Sequence, residues 1–248
     1  MKASLPMYDT GSTRAANDRF WALIRARLGH GPDALDRSTD PHTTWEDPAL
    51  VLSQTCGLPY RRELHGRVTL VGTPDYGLRG CPPGFYRSYV VVRANDERAS
   101  LTDFADATLA RNDRRSQSGW AAMEAHLAET GAGFSFVGRT LDTGAHLRSA
   151  HAVADGQADI AALDAMTWLL IKREDPVARR LRVIARTRPT PGLPFISAAG
   201  TDPVPLRAAI HGAIAALSQR DRARLHLKGL VEIPESTYLA EPVPPGEK

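Results

Sequence analysis

Cysteine is nearly absent: the 248-residue chain holds only Cys56 and Cys81. Two cysteines so placed form neither a C-x-x-C redox motif nor a zinc pattern. They read as free, partly buried thiols, with a disulfide between them left open. Long apolar runs are missing too. Runs such as Val90-Val91-Val92 and Trp168-Leu169-Leu170-Ile171 fall far short of the ~20 residues a membrane helix needs, so no membrane insertion is expected. Charge of one sign is scarce, with a formal net charge of only +3. The bases are spread along the chain rather than gathered into a stripe, which argues against nucleic acid as a partner. Lysine occurs only at positions 2, 172, 228 and 248, so arginine supplies the other 27 of 31 basic side chains. That bias reads mainly as codon composition, beside a mild preference for anions.

Several catalytic signatures are absent as well. The chain contains no G-x-x-x-x-G-K-[ST], G-x-G-x-x-G or G-x-S-x-G, so it offers no phosphate-binding loop, dinucleotide fingerprint or nucleophile elbow. Its eight histidines are scattered without ligand spacing, and His146 and His151 stand five apart, off a common helix face. No metal site, no cofactor and no enzyme follow from these residues. The opening Met1-Lys2-Ala3-Ser4-Leu5 has no basic n-region and no apolar h-region. The chain as given carries no signal peptide, so the expectation is periplasmic if a leader was removed and cytoplasmic otherwise.

What is present is an ordinary globular composition, 42% hydrophobic and 24% charged, at a length suited to one large domain or two smaller lobes. Ala3 to Tyr8 reads as a short strand. Ala16, Phe20, Leu23, Ile24 and Leu28 repeat at helical spacing, and Gly29 and Gly31 stop that helix. Strands are expected at 47–52, 68–72, 86–93, 134–137, 158–163, 181–185 and 195–197. Helices are expected at 120–130, 146–154, 165–173 and 204–217. Leu101 to Leu109 reads as short and polar, and Glu241 to Lys248 as a frayed tail. Alternation of strand and helix argues an α/β fold with mostly parallel sheets. The β-rich runs near 86–93 and 181–188 bracket about 90 residues, as they would in a chain that leaves one lobe and returns to it. That places lobe one at 1–90 and 186–248 and lobe two at 91–185, joined by two crossover strands near Val91 and Ile184.

Four stretches in order carry a family resemblance. Asn112-Asp113-Arg114-Arg115-Ser116-Gln117-Ser118-Gly119 resembles the N-D-P-x-S-x-S-G helix start of phosphate/phosphonate-type substrate-binding proteins of ABC transporters. Gly144-Ala145-His146, then Ala152 to Asp164, resembles the family's G-x-H turn, helix and V-A-x-G-x-A-D-x-A-x-x-D/E strand. Gly84 to Val92 resembles the aromatic segment leading to the first crossover, and Leu181 to Pro194 the return strand. The likeness runs over roughly residues 3–215. It departs at Ser53-Gln54-Thr55-Cys56-Gly57, where members with defined phosphonate ligands carry a Tyr-Gly pair, and in the missing secretion signal. The resemblance implies a two-lobed periplasmic binding protein-like fold (type II), each lobe a mixed sheet flanked by helices, closing by a hinge on a small anion in the cleft.

Candidate ligand residues follow from the helix starts and strand ends. Ser116, Gln117, Ser118 and Gly119 stand at an expected helix N-terminus, where unpaired N–H groups and the positive dipole end attract anions. Plain N-capping by Ser116 or Ser118 is the competing reading. His146 precedes the next helix, as an anion contact or as a cap. Asp164 ends a buried strand, where open α/β sheets gather binding residues, and either meets a cationic or hydroxyl end of the ligand or caps the following helix. Tyr8 and Asp9, Thr55 and Cys56, and Asp75 and Tyr76 end the first three strands on the same logic. The expected function is capture of a small oxyanion, such as phosphate or phosphonate, with an ABC permease as the partner the resemblance implies. A cytoplasmic ligand sensor, or an enzyme on the same two-lobed fold like those of the menaquinone pathway, stands as the alternative.

Overall fold

The computed structural model describes residues 1–131 and 138–244. In chain order it holds β1 (Lys2–Ala3), α1 (Arg14–Leu28), α2 (Pro41–Trp45), β2 (Leu50–Gln54), α3 (Gly57–Pro59), β3 (Val68–Asp75), β4 (Phe85–Tyr86), β5 (Ser88–Arg93) and β6 (Thr108–Arg111). There follow α4 (Ala122–Glu129), entered through a wide turn at Gln117–Ala121, then β7 (Arg139–Asp142), α5 (His146–Ala154), β8 (Ile160–Asp164), α6 (Ala165–Glu174) and β9 (Leu181–Arg186). The last elements are β10 (Thr190–Pro191), β11 (Phe195–Ala198), α7 (Pro203–Ala216), α8 (Gln219–Leu225), β12 (Gly229–Val231) and α9 (Glu235–Leu239).

The chain divides into two compact units. Unit one is Met1–Phe85 with Pro191–Ala240, and unit two is Tyr86–Thr190 with the chain from Glu241 onward. Both crossings between residues 85 and 86 and between 190 and 191 fall within β4 and β10, which pair as a two-stranded ladder.

Unit one is a five-stranded sheet in the order β1-β2-β11-β3-β12. Its helix α1 forms because apolar side chains recur every three to four residues, and Phe20, Trp21 and Ile24 are fully buried. They pack with Ile210 and Ala213 of α7 and with Leu52, Val71 and Phe195 of the sheet. Gly29 ends the helix at φ 76°, a left-handed conformation that glycine adopts at no steric cost. A second cluster, with Trp45, Tyr60, Ile196 and Tyr238, fills the other face of the sheet.

Unit two has the sheet order β7-β6-β8-β5-β9. One face packs Val91, Ala161 and Leu163 against Ala150 and Val153 of α5 and Trp168 and Ile171 of α6. The other packs Val90, Val92, Leu109 and Ile160 against Trp120, Met123 and Leu127. The three-valine run is thus buried on both sides, one residue up and the next down.

The expectation of mostly parallel sheets needs correction. Parallel pairing joins β1·β2, β6·β7 and β6·β8, while β11 runs antiparallel to β2 and β3, β12 to β3, and β5 to β8 and β9. Helix–strand alternation reports crossover connections but not strand direction, and antiparallel neighbours need no such crossover. The expected first strand is cut to Lys2–Ala3 because Pro6 has no N–H for the ladder, and Pro6–Tyr8 turns instead. The polar stretch up to Leu109 ends in strand β6. Glu241 is not frayed: Arg188 holds it with two hydrogen bonds, at 2.9 and 2.5 Å, within unit two. The expected strand at Phe134–Val137 and the last four residues lie outside the described residues.

Candidate functional site

In unit two, the polar residues converge where β6 gives way to α4. Asp113 accepts the Arg115 N–H at 2.6 Å and turns the chain after β6. Ser116 then takes the N-cap position, its Oγ accepting the Gly119 N–H at 3.0 Å. The Ala121 N–H bonds the Ser116 carbonyl at 3.1 Å, one residue wider than an α-helical turn, as in the π-turns often found at functional sites. Amides in this first turn have no earlier helical carbonyl to bond. The guanidinium of Arg111 lies 4.3 Å from the centroid of the Trp120 ring and braces the turn.

Ser118 is held from two sides. Ser88, at the start of β5, donates its hydroxyl to the Ser118 carbonyl at 2.8 Å. The Ser118 Oγ lies 3.0 Å from His146 Nε2. A Cβ on Gly119 would overlap Asn112 Oδ1 and come within 3.2 Å of His146 Cε1, so the backbone, the imidazole and the Asn112 amide meet at a point only glycine fits. Both Asn112 Oδ1 and His146 Nδ1 are buried without a hydrogen bond of normal geometry. Burial pushes the His146 pKa down to about 4, and the nearby Ala162 carbonyl opposes the shift only in part. The ring is therefore neutral at physiological pH in the unliganded chain.

Asp164 ends β8 directly opposite Ser88 in the ladder. It is buried, and its Oδ1 accepts the Thr167 N–H at 2.8 Å, capping α6. The Ser88 N–H in turn bonds Thr187 Oγ1 at 2.9 Å. Ser116, Gln117, Ser118, Gly119, His146 and Asp164 thus gather in one unit around Ser88. Ser88 and Asn112 lie inside the stretches that carry the family resemblance, but the sequence reading gave neither of them a role at the site. Only the antiparallel register of β5 on β8 and the close approach at Gly119 reveal them.

In unit one, the strand-end residues form a separate group. The rings of Tyr8 and Tyr76 meet edge to face at 5.1 Å. Gln54, the last residue of β2, donates through Nε2 to Tyr76 Oη and to the Leu193 carbonyl, both at 3.0 Å. Thr55 is fully buried, with its N–H on the Pro194 carbonyl at 3.1 Å. Cys56 follows it at the start of α3, half-buried, and neither Cys56 nor Cys81 is in a disulfide. Asp9 points into an ion-pair network, accepting from Arg37 Nε at 2.6 Å and Asn17 Nδ2 at 3.0 Å. Its partial burial raises the carboxyl pKa, but these partners outweigh that and hold it below the usual range. Asp75 accepts the Gly77 N–H at 2.9 Å and so shapes the turn after β3. Among the described residues no group of His, Cys, Asp and Glu has a metal-binding arrangement, and no helix is long and apolar enough to cross a membrane.

Residues 56–238 match the family described as ABC transporter, phosphonate, periplasmic substrate-binding protein. The chain belongs to this family. Solved structures share its fold at low sequence identity. A binding protein of an ABC phosphonate transporter from Pseudomonas aeruginosa superposes with a TM-score of 0.73 at 15% identity, over 96% of this chain and 82% of that one. PhnD1 from Prochlorococcus marinus, in complex with methylphosphonate, gives 0.72 at 15% identity over 96% and 94%. A Xanthomonas citri protein bound to chloride gives 0.72 at 16% identity over 96% and 92%. No curated protein matches the sequence. The fold is the two-lobed type II periplasmic binding protein fold, and a phosphonate-family chain with this fold is a solute-binding component of an ABC transporter.

Proposed function

We propose that this chain captures a small oxyanion, phosphate, phosphonate or a close analogue, at the N-terminus of α4, and acts as the periplasmic receptor that delivers it to an ABC permease without chemical change. The observation that carries this reading is the Ser118–His146 pair set against the wide first turn at Gln117–Ala121. Helix N-termini favour anions through their unpaired N–H groups and positive dipole end. With the proton of the neutral imidazole on Nδ1, toward the Ala162 carbonyl, Nε2 accepts the Ser118 O–H, and an oxyanion arriving at the turn would draw that hydroxyl and the first-turn amides to itself. Gly119 keeps the backbone bare at that point. The family match over residues 56–238 and the methylphosphonate bound to the Prochlorococcus protein support the ligand class.

Binding is favoured over catalysis by the state of the same pair. A serine hydroxyl 3.0 Å from an imidazole has the spacing of a nucleophile and its base. A base pushed down to about 4 is too weak to activate serine at neutral pH, and among the described residues no carboxylate bonds His146 to raise it. A thermal-shift panel of methylphosphonate, phosphate, phosphate esters and methanesulfonate tests the reading. At a hundredfold excess over Kd, binding to the native state adds about 2.7 kcal/mol and raises the midpoint by roughly 5–10 °C for a chain of this size. A panel that leaves the midpoint unmoved contradicts it.

A further inference from the structure

The end of the chain is fastened to the helix that carries the site. The chain passes from unit one to unit two for the last time between Ala240 and Glu241. Arg188 donates through Nη1 and Nη2 to the two carboxylate oxygens of Glu241, at 2.9 and 2.5 Å, and through Nε to Glu129 Oε1 at 3.1 Å. Glu129 is the last residue of α4, so one guanidinium ties the start of the C-terminal segment to the far end of that helix. The forked bond to Glu241 fixes direction as well as distance. Beyond it, Pro242, Val243 and Pro244 line the same cavity, of about 320 Å³, as Ala121, Ala125 and Ala128. Those alanines recur at the spacing of one face of α4. Two prolines in three residues leave the segment little backbone freedom to lose on docking there.

The same fastening reaches the opening turn of α4 by two routes. Thr187, the neighbour of Arg188, is joined to Ser88 twice. Its N–H donates to the Ser88 carbonyl at 3.0 Å, and its Oγ1 accepts the Ser88 N–H at 2.9 Å. Ser88 in turn donates its hydroxyl to the Ser118 carbonyl at 2.8 Å. The second route is a small cavity lined by Gln117 together with Thr187, Arg188, Glu241 and Pro242, too tight to admit a water molecule. Arg188 thus supports both ends of α4, through Glu129 at its C-terminus and through Gln117 and Ser118 at its opening turn. Its side chain is 40% exposed, and an ion pair so placed adds little to global stability. An effect on the site can therefore be read apart from an effect on the fold.

We propose that residues 241–244 are a strap, and Arg188 a positioning residue, that together hold the opening turn of α4 in its anion-accepting form. This rests on the oxyanion reading of that turn. A site held ready in this way binds without first ordering its own donors, and loses affinity when the support is cut. Two measurements on the full chain test it, in wild type, Arg188→Gln and Glu241→Ala. One is hydrogen exchange of the Gly119 and Ala121 amides, whose bonds to Ser116 define the turn, without ligand. The other is calorimetric titration with methylphosphonate. Both variants should exchange those two amides about fivefold faster and bind methylphosphonate about fivefold more weakly, the lower end of coupling between linked sites. Exchange at the Val91 amide, in the ladder of β5 on β8, should stay at the wild-type rate. A wild-type rate at Gly119 and Ala121 in either variant overturns the assignment, and so does unweakened affinity. Exchange that rises equally at Val91 also overturns it, because the ion pair would then be merely structural. If wild type binds neither methylphosphonate nor phosphate, the oxyanion reading falls, and the exchange rates still decide the strap.

Discussion

Two serines two residues apart are expected to answer differently to the same deletion of a hydroxyl. Ser116 Oγ caps the Gly119 N–H at 3.0 Å, and removing such a cap costs about 1 kcal/mol of stability. In a protein of this length that lowers the melting point by roughly 2–4 °C. Ser118 Oγ caps no amide of the helix, and its bond runs to His146 Nε2 at 3.0 Å. If that hydroxyl turns outward to the ligand, Ser118→Ala removes a charge-assisted bond worth about 1.5–3 kcal/mol. Each 1.4 kcal/mol is a factor of ten, so affinity should fall roughly ten- to a hundredfold. Calorimetric titration with methylphosphonate and scanning of the unliganded variants separate the two quantities. Ser116→Ala should lose stability and largely keep affinity, and Ser118→Ala should do the reverse. Wild-type affinity in Ser118→Ala, with a lowered melting point, would show that its hydroxyl is structural and that the anion reading of this turn is mistaken.

Other outcomes follow from the same geometry. Gly119→Ala places a methyl onto Asn112 Oδ1, so thermal denaturation should show a loss of about 1–3 kcal/mol, as for an overpacked core site, together with weakened phosphonate binding. Asp164→Ala should lose the α6 cap and about 1 kcal/mol, whereas Asp164→Asn keeps the acceptor oxygen and stays near wild type in a melting scan. Aminoethylphosphonate should then lose affinity in Asp164→Asn relative to methylphosphonate if the carboxylate meets an amine. His146 contributes a pH dependence of defined sign. Its folded pKa is depressed from 6.5 to about 4, so below 6.5 the unfolded chain takes up a proton that the native state refuses. Stability should fall as the pH drops from about 6.5 to about 4, by up to about 1.4 kcal/mol per pH unit, and His146→Gln should flatten that slope in denaturant titrations.

The sequence showed periodic elements and left their connections hidden. Helix α1 was legible because Ala16, Phe20 and Ile24 lie on one face and Gly29 supplies the left-handed stop. Helix α5 begins at His146 and β8 ends at Asp164, as the motif around Gly144 and Asp155-Gly156 suggested. Strand direction was not legible, because β11 and β5 enter their sheets against their neighbours through tertiary pairing alone. Within the site, the serine motif was visible as a helix start. Which serine caps and which faces the imidazole depended on the wide turn at Gln117–Ala121, which no local spacing encodes. The depressed pKa of His146 depends on burial by residues distant in the chain, so sequence proximity gave no sign that the ring would be neutral. That the Asp9 carboxylate is bonded by Arg37, 28 residues away, could not be read from the spacing at the end of the first strand.

The central claim is that an oxyanion docks on the opening turn of α4. Amide chemical shifts in a nitrogen-15 spectrum, followed while methylphosphonate is titrated into the wild-type chain, test it most directly. The N–H resonances of Gln117, Ser118 and Gly119 should move downfield together with the His146 ring signals, along one saturable curve. Saturable binding that leaves those three amides in place, or no binding of methylphosphonate and phosphate at millimolar concentration, would contradict the account.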